Sequence, residues 1–426
     1  MALVLHVASL VACKDKTTTA VCAPGQPSGV VAERAKAKCL AEPGLSQSAQ
    51  SASTPHDVVL YLDRSASMQG FLDPDYPTRI KTDFRSVLDA IIAGLRPIEV
   101  HSYGSSIASA SPSIGVLGRK EFYQDRDTKM EEVVALIGSD TGLGHVHLIV
   151  GDGRRGSPAT ADGQYVSLRD AAQRWIDGGG TFVVATSNAP FKTVESDPSG
   201  CRRSGQQAAD SQTCPIYLFA FVPHGDAMRI ASAITDAFEH MFMWPAPTVP
   251  SNVLDFRSGD RNSKLNVNAI WEHASDGTPI VRTGAAQRTL KTTPFAFGVK
   301  DTTTALGRAY AKIQQGEENS VLLTSRSIVG GAAQLWQPAG IGSEGLVRSS
   351  APSSFEISSL GTSAPASIVR VDVVPTGVPT WLSAVEASDA RDVVRTYGIG
   401  RLFESFRQRA KQTSPTPLSR LYIVSN

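Results

Sequence analysis

The sequence predicts an α/β protein. A doubly wound, mainly parallel sheet spans residues 55–243, a β-rich, sandwich-like domain spans 250–385, and a C-terminal helix and strand fill 386–426. Three observations predict this. Short continuous apolar runs, typical of strands buried on both faces, alternate with stretches whose apolar residues recur at helical spacing. Past residue 250 the helical stripes give way to short strand-like runs separated by Gly, Ser, Asp and Pro. The chain has 426 residues, 41% hydrophobic and 19% charged, which suits two or three domains with real cores.

The first strand is the run Asp57 to Leu62. Ile80, Phe84, Val87, Leu88, Ile91, Ile92 and Leu95 then form one helical stripe. Ile98 to Tyr103 reads as a strand, and Met130, Val133, Val134 and Ile137 as a helix. Val146 to Val150 is the next buried strand. Leu168, Ala171, Ala172 and Trp175 mark a helix stopped by Gly178-Gly179-Gly180. Thr181 to Ala185 and Ile216 to Val222 are strands, and a helix lined by Ala227, Ile230, Ala231, Ile234 and Phe238 closes the unit. Alternation of this kind predicts parallel strands with helices on both faces. Trp244 to Pro250 reads as a linker. The β-rich region is expected to hold strands at Leu265–Trp271, Ser320–Thr324, Gln334–Trp336 and Ile368–Val374. A helix from about Asp389 to Lys411 and a strand Leu421–Val424 follow.

Lys and Arg number 41 against 40 Asp and Glu, a formal charge of +1 that gives no electrostatic reason to expect nucleic acid as a partner. Ala2 to Ala12 has the length of a signal-peptide apolar region. Leu10-Val11-Ala12-Cys13 resembles a bacterial lipobox, which implies a signal segment over 1–12 and lipidation of Cys13. No Lys or Arg precedes the apolar run, a departure from that pattern. Residues 13–54, rich in Ala, Ser, Thr, Gly and Pro, then read as a flexible tether. The expected location is the bacterial cell envelope, lipid-anchored and periplasmic or surface-facing. Cys22, Cys39, Cys201 and Cys214 are an even set suited to disulfides. Four cysteines allow three pairings, and proximity favours 22–39 and 201–214.

In open α/β sheets, ligands bind beyond the carboxyl ends of the strands. Asp63 ends the first strand and begins Asp63-Arg64-Ser65-Ala66-Ser67-Met68. Asp152 follows the strand Val146 to Val150 in Gly151-Asp152-Gly153. Thr128 lies 61 residues after Ser67 and 24 before Asp152. Strand-Asp-x-Ser-x-Ser, a later Thr, then strand-x-Asp-Gly resembles the metal ion-dependent adhesion site of von Willebrand factor A domains, over residues 55–243. The resemblance implies that Ser65, Ser67 and Thr128 give hydroxyl oxygens to Mg2+ or Mn2+, while Asp63 and Asp152 act through water and through those hydroxyls. Mg2+ is a hard ion that takes six oxygens and keeps several waters. Neutral hydroxyls leave it electrophilic, so an Asp or Glu of a partner would complete its shell. Many members carry Ser or Thr where this chain has Gly151. Arg64, Arg154 and Arg155 flank the motif and are expected to favour an acidic partner.

Competing readings stand beside these. Asp-x-Ser-x-Ser alone is ordinary turn chemistry. Thr128-Lys129-Met130-Glu131 also fits a capping box that opens a helix. Gly151 to Gly156 fits G-x-G-x-x-G, but Ser157-Pro158 and a polar stretch follow where a helix should open, and Asp152 would repel a pyrophosphate. His145 and His147 share one face of a strand, with no further metal ligand evident from sequence. No G-x-S-x-G or H-E-x-x-H occurs. The expectation is a non-enzymatic, metal-dependent adhesion or assembly module that binds an envelope protein. A metal-free structural lipoprotein is the alternative, and a metal-dependent hydrolase the third class.

Overall fold

The computed structural model describes residues 55–72, 83–111, 113–140, 143–153, 158–192 and 212–249, then 254–258, 270–273, 279–283, 294–299, 302–329, 332–333, 337–338, 346–348, 354–357, 367–387, 396–412 and 417–425. Its first sheet has seven strands: β1 Asp57–Asp63, β2 Glu99–Tyr103, β3 Ile107–Ser109, β4 His145–Gly151, β5 Gly180–Phe191, β6 Gln212–Pro223 and β7 His240–Trp244. They lie in the order β3-β2-β1-β4-β6-β5-β7. The helices between them are α1 Phe84–Leu95, α2 Ile114–Leu117, α3 Met130–Gly138, α4 Pro158–Asp177 and α5 Ala227–Ile234.

The α/β class is as the sequence predicts, but a mainly parallel sheet is not. Only β1 with β2 and β1 with β4 pair in parallel. The pairs β2–β3, β4–β6, β5–β6 and β5–β7 are antiparallel, so the sheet is mixed. The cause lies between β5 and β6. A parallel pair needs a crossover of a dozen or more residues, usually a helix. No helical stripe separates Ala185 from Ile216, and β6 turns back to lie between β4 and β5.

Alternating side chains of the central strands feed two cores. Val58, Leu60 and Leu62 of β1 and Val146, Leu148 and Val150 of β4 face α1 and α5. Val59, Tyr61 and Ile149 face α3 and α4. Five of the seven residues of the predicted α1 stripe, Phe84, Val87, Leu88, Ile91 and Leu95, are buried, Ile92 is half-buried and Ile80 lies outside the described residues; all four residues on α3 and all four on α4 are buried. Asp83 caps α1, accepting from the Ser86 N–H at 2.6 Å.

The later region adds α6 Ala305–Gly316, α7 Leu382–Val385 and α8 Gly400–Gln412. Its strands are β8 Leu254–Ser258, β9 Ile270–His273, β10 Pro279–Thr283, β11 Pro294–Val299, β12 Glu317–Val329, β13 Ala332–Ala333, β14 Gln337–Pro338, β15 Leu346–Arg348, β16 Ser354–Ile357, β17 Ser367–Pro379, β18 Glu386–Ala387, β19 Thr396–Tyr397 and β20 Ser419–Ser425. The strands form one sheet in the order β13-β12-β17-β20-β10-β9, with β14 on β12. A second has the order β15-β16-β11-β8, and β18 pairs with β19. Among the described residues of 254–379, most lie in strands. Leu265–Ala269 and Gln334–Trp336, parts of two predicted strands, lie outside the described residues, as do the side chains that a sandwich packing would need.

Both helical layers of the first sheet take members from this later region. Ala309 and Ile313 of α6 join the core of α1 and α5. Leu402, Phe403 and Phe406 of α8 join the core of α3 and α4. The C-terminal helix starts at Gly400, not near Asp389, because Thr396–Tyr397 is a strand and Gly398 is left-handed at φ 80°. The stretch read as a linker is also packed. β7 runs to Trp244, Ala246 and Val249 are buried, and the Val249 N–H donates to the Leu418 carbonyl at 2.6 Å.

Candidate metal centre

β1 ends at Asp63 because the chain there leaves the sheet. The Arg64 N–H donates to the Tyr103 carbonyl at 2.8 Å, and Ser65 forms an isolated bridge with Asp125. A 3-10 turn over Ala66–Leu72 follows and buries Met68, Phe71 and Leu72 in the core. Phe71 meets Phe191 edge-on at 4.9 Å, and the Lys192 N–H donates to the Gly70 carbonyl at 2.9 Å. The loop is thus anchored at both ends, which fixes Ser65 and Ser67 at the carboxyl ends of β1 and β4.

Two hydroxyls of this loop converge. Ser65 Oγ lies 2.9 Å from Ser67 Oγ. The Ser65 N–H donates to Asp63 Oδ1 at 2.8 Å, while Asp63 Oδ2 is buried without a hydrogen-bond partner. Asp63 and Asp152 are each 1% exposed. Burial and then the neighbouring Asp152 carboxylate hold Asp63 well above the ordinary carboxylate range, against hydrogen bonds from Ser65. Ser67 is half-buried, so the group meets solvent on one side. Two carboxylates buried this deeply, Asp63 with one bare oxygen, are costly on their own. A divalent ion would offset that cost, so the residues fit one.

Thr128 is buried in a loop tied to the same edge. The Ala66 N–H donates to the Asp125 carbonyl at 2.7 Å, and the Lys129 N–H to the Gly104 carbonyl at 3.1 Å. The capping-box reading fails: Lys129 is the N-cap of α3, and no side chain bonds there.

Two residues missed by sequence reasoning complete the surroundings. Asp125 takes a bidentate grip from Arg64, with Nη2 at 3.0 and 2.9 Å from its two oxygens, and accepts from the Ser105 N–H at 3.1 Å. Arg64 is therefore paired within the chain. Arg154 and Arg155 lie outside the described residues. Tyr103 is the second. A Cβ on Gly151 would lie 2.8 Å from the Tyr103 Oη and 2.9 Å from the Asp63 Cβ, so the tyrosine fills the space that a Ser or Thr would need. Burial, then Asp63 and Asp152, push the Tyr103 phenol well above its usual range. No local motif announces either residue, because each acts through a fold contact distant in sequence.

The dinucleotide fingerprint does have one of the features that its sequence seemed to lack. A helix does open after Gly156, at Pro158, a favoured first position. The buried Asp152 carboxylate still repels a pyrophosphate.

At the other end of the strands, the histidine pair has a third candidate ligand that sequence reading did not find. Asp140 Oδ2 lies 3.0 Å from His147 Nε2 and 3.3 Å from His145 Nδ1. One ligand atom from each of these three residues lies within 4.8 Å of the other two, a grouping able to hold a metal ion. Their side chains are 25%, 7% and 46% exposed for Asp140, His147 and His145. His147 Nδ1 is buried without a partner, so protonating the ring would strand an N–H. Burial accordingly lowers the His147 pKa against the pull of Asp140. Burial works to raise Asp140, but hydrogen bonds from His147 and His145 outweigh it and hold it below the usual range.

Cys214 is disulfide-bonded. Its partner lies outside the described residues, as do Cys13, Cys22, Cys39 and Cys201. Among the described residues no helix is long and apolar enough to cross a membrane. The chain matches no protein family, no curated protein and no solved structure.

Proposed function

We propose that residues 55–243 form a von Willebrand A-type module that binds an acidic residue of a partner protein through Mg2+ or Mn2+. One observation carries this reading: the bare, buried Asp63 Oδ2 sits in the same loop as the paired hydroxyls of Ser65 and Ser67. Ser65, Ser67 and Thr128 would hold the ion directly, with Asp63 and Asp152 behind them. The ion would supply an electrophilic corner toward solvent, and Ser67 marks the open side. The parallel core β2-β1-β4, the antiparallel edge β3 and helices on both faces support the A-type fold, with β6 as an antiparallel insertion. The Cys214 disulfide suits an oxidising compartment and supports the envelope location, with Cys13 as lipid anchor.

Calorimetric titration with Mg2+ and Mn2+ tests the site, with Asp63→Ala as control. Equal uptake by both proteins would refute the assignment. Capture of an envelope protein that is lost in EDTA supports adhesion.

A second reading has its own support. α6 and α8, from the later region, cover the two faces of the first sheet, as expected if the protein is an internally braced assembly component. EDTA-resistant capture would favour it. Turnover of phosphate or ester substrates that vanishes in Asp63→Ala would favour the hydrolase class instead.

A further inference from the structure

We propose that Asp140, His145 and His147 form a second metal site, for a borderline transition ion such as Zn2+, that clips the α3–β4 connection to the start of β4. The inference is independent of the hydroxyl site. His145 and His147 lie two residues apart on one face of β4, so both imidazoles project to the side covered by α3 and α4. Asp140 arrives from the end of α3 on that same side, where its N–H donates to the Ile137 carbonyl at 3.0 Å. Three ligands thus come from two turns of chain that the fold already holds together.

Ligand chemistry selects the ion. Imidazole nitrogens suit Zn2+, Cu2+ or Ni2+, whereas Mg2+ prefers oxygen. Three protein ligands leave a fourth tetrahedral position for water, and the exposed His145 and half-buried Asp140 set that position toward solvent. The metal would replace the hydrogens now shared between Asp140 Oδ2 and the two rings. Each imidazole offers its lone pair there and carries its hydrogen on the other nitrogen. For His147 that nitrogen is Nδ1, which has no acceptor. A missing bond of this kind weakens a site by about 10–100-fold, so affinity falls below that of a fully supported one. The two sites lie at opposite ends of β4, roughly 13–20 Å apart by strand rise, so they load separately.

Equilibrium dialysis of untagged full-length protein against Zn2+ tests this, with Co2+ as a spectroscopic probe. The expected result is one Zn2+ per chain and the visible bands of tetrahedral Co2+. His145→Ala and Asp140→Asn, both at partly exposed positions, should each weaken Zn2+ binding about tenfold or more. Excess Mg2+ should leave the Zn2+ affinity unchanged. The proposal is overturned if the wild type holds no stoichiometric Zn2+, if both variants bind as the wild type does, or if bound Co2+ is octahedral.

Discussion

Gly151 provides a direct test of how the acidic pocket is packed. A Cβ placed there lies 2.8 Å from the Tyr103 Oη, 2.9 Å from the Asp63 Cβ and 3.1 Å from Asp63 Oδ2. Ordinary carbon contacts begin near 3.5 Å, so a side chain intrudes by about 0.6–0.7 Å on two atoms at once. Neither yields easily. The Asp63 Cβ is fixed by the backbone of β1, and the Tyr103 ring is fully buried. Overpacking of this order costs about 1–3 kcal/mol. For a unit of this size each kcal/mol moves the midpoint by about 2–4 °C, so Gly151→Ser should melt about 2–12 °C lower. Tyr103→Phe removes one of the clashing atoms, and its own loss is small because the hydroxyl donates to the Val150 carbonyl only at 3.4 Å. The double variant should therefore recover at least about 0.5 kcal/mol relative to additivity. The assay is a thermal and urea melt of the four proteins in EDTA. Should Gly151→Ser melt with the wild type, or the two changes prove additive, the packing argument is wrong.

Three further outcomes follow from the same geometry. Asp63→Asn removes a buried charge that faces Asp152, so in EDTA it should stabilise the chain by about 1–2 kcal/mol while abolishing stabilisation by Mg2+; a melt with and without metal reads both. Arg64→Ala should cost about 1 kcal/mol, discounted because the arginine is one-third exposed, and should weaken Mg2+ binding by loosening the loop that carries Thr128; calorimetry unchanged from wild type would sever that link. Asp226 is buried and held below the usual carboxylate range: burial raises it, but hydrogen bonds from Arg229 at 2.6 Å and from His56 outweigh that. Its contribution is full above the unfolded value of about 3.9 and fades as pH falls through the lower folded value. Asp226→Asn should accordingly cost about 1–2 kcal/mol in urea melts at pH 7 and nothing once the pH lies below that folded value.

The parts of this fold that could be read from sequence are those carried by local periodicity. The stripes of α1, α3 and α4 and the runs in β1, β4 and β6 point to their cores because burial on one face or two leaves a fixed spacing. Strand direction leaves no such trace. β5 and β6 have the same continuous apolar look whether parallel or antiparallel, and only the lack of an apolar helical stripe in the sequence between them hints at the antiparallel pairing. The site divides in the same way. Asp63, Ser65 and Ser67 sit in one loop and are legible together. Asp125 enters through a bridge to Ser65 and Tyr103 through a hole left by Gly151, so neither leaves a local pattern. Asp140 lies between these cases. It stands only five and seven residues before His145 and His147, but an aspartate after a helix is common, and only the turn ending α3 brings its oxygen within 3.0 Å of His147 Nε2. A histidine pair on a strand is therefore better judged by where the preceding helix ends than by a search for a ligand motif.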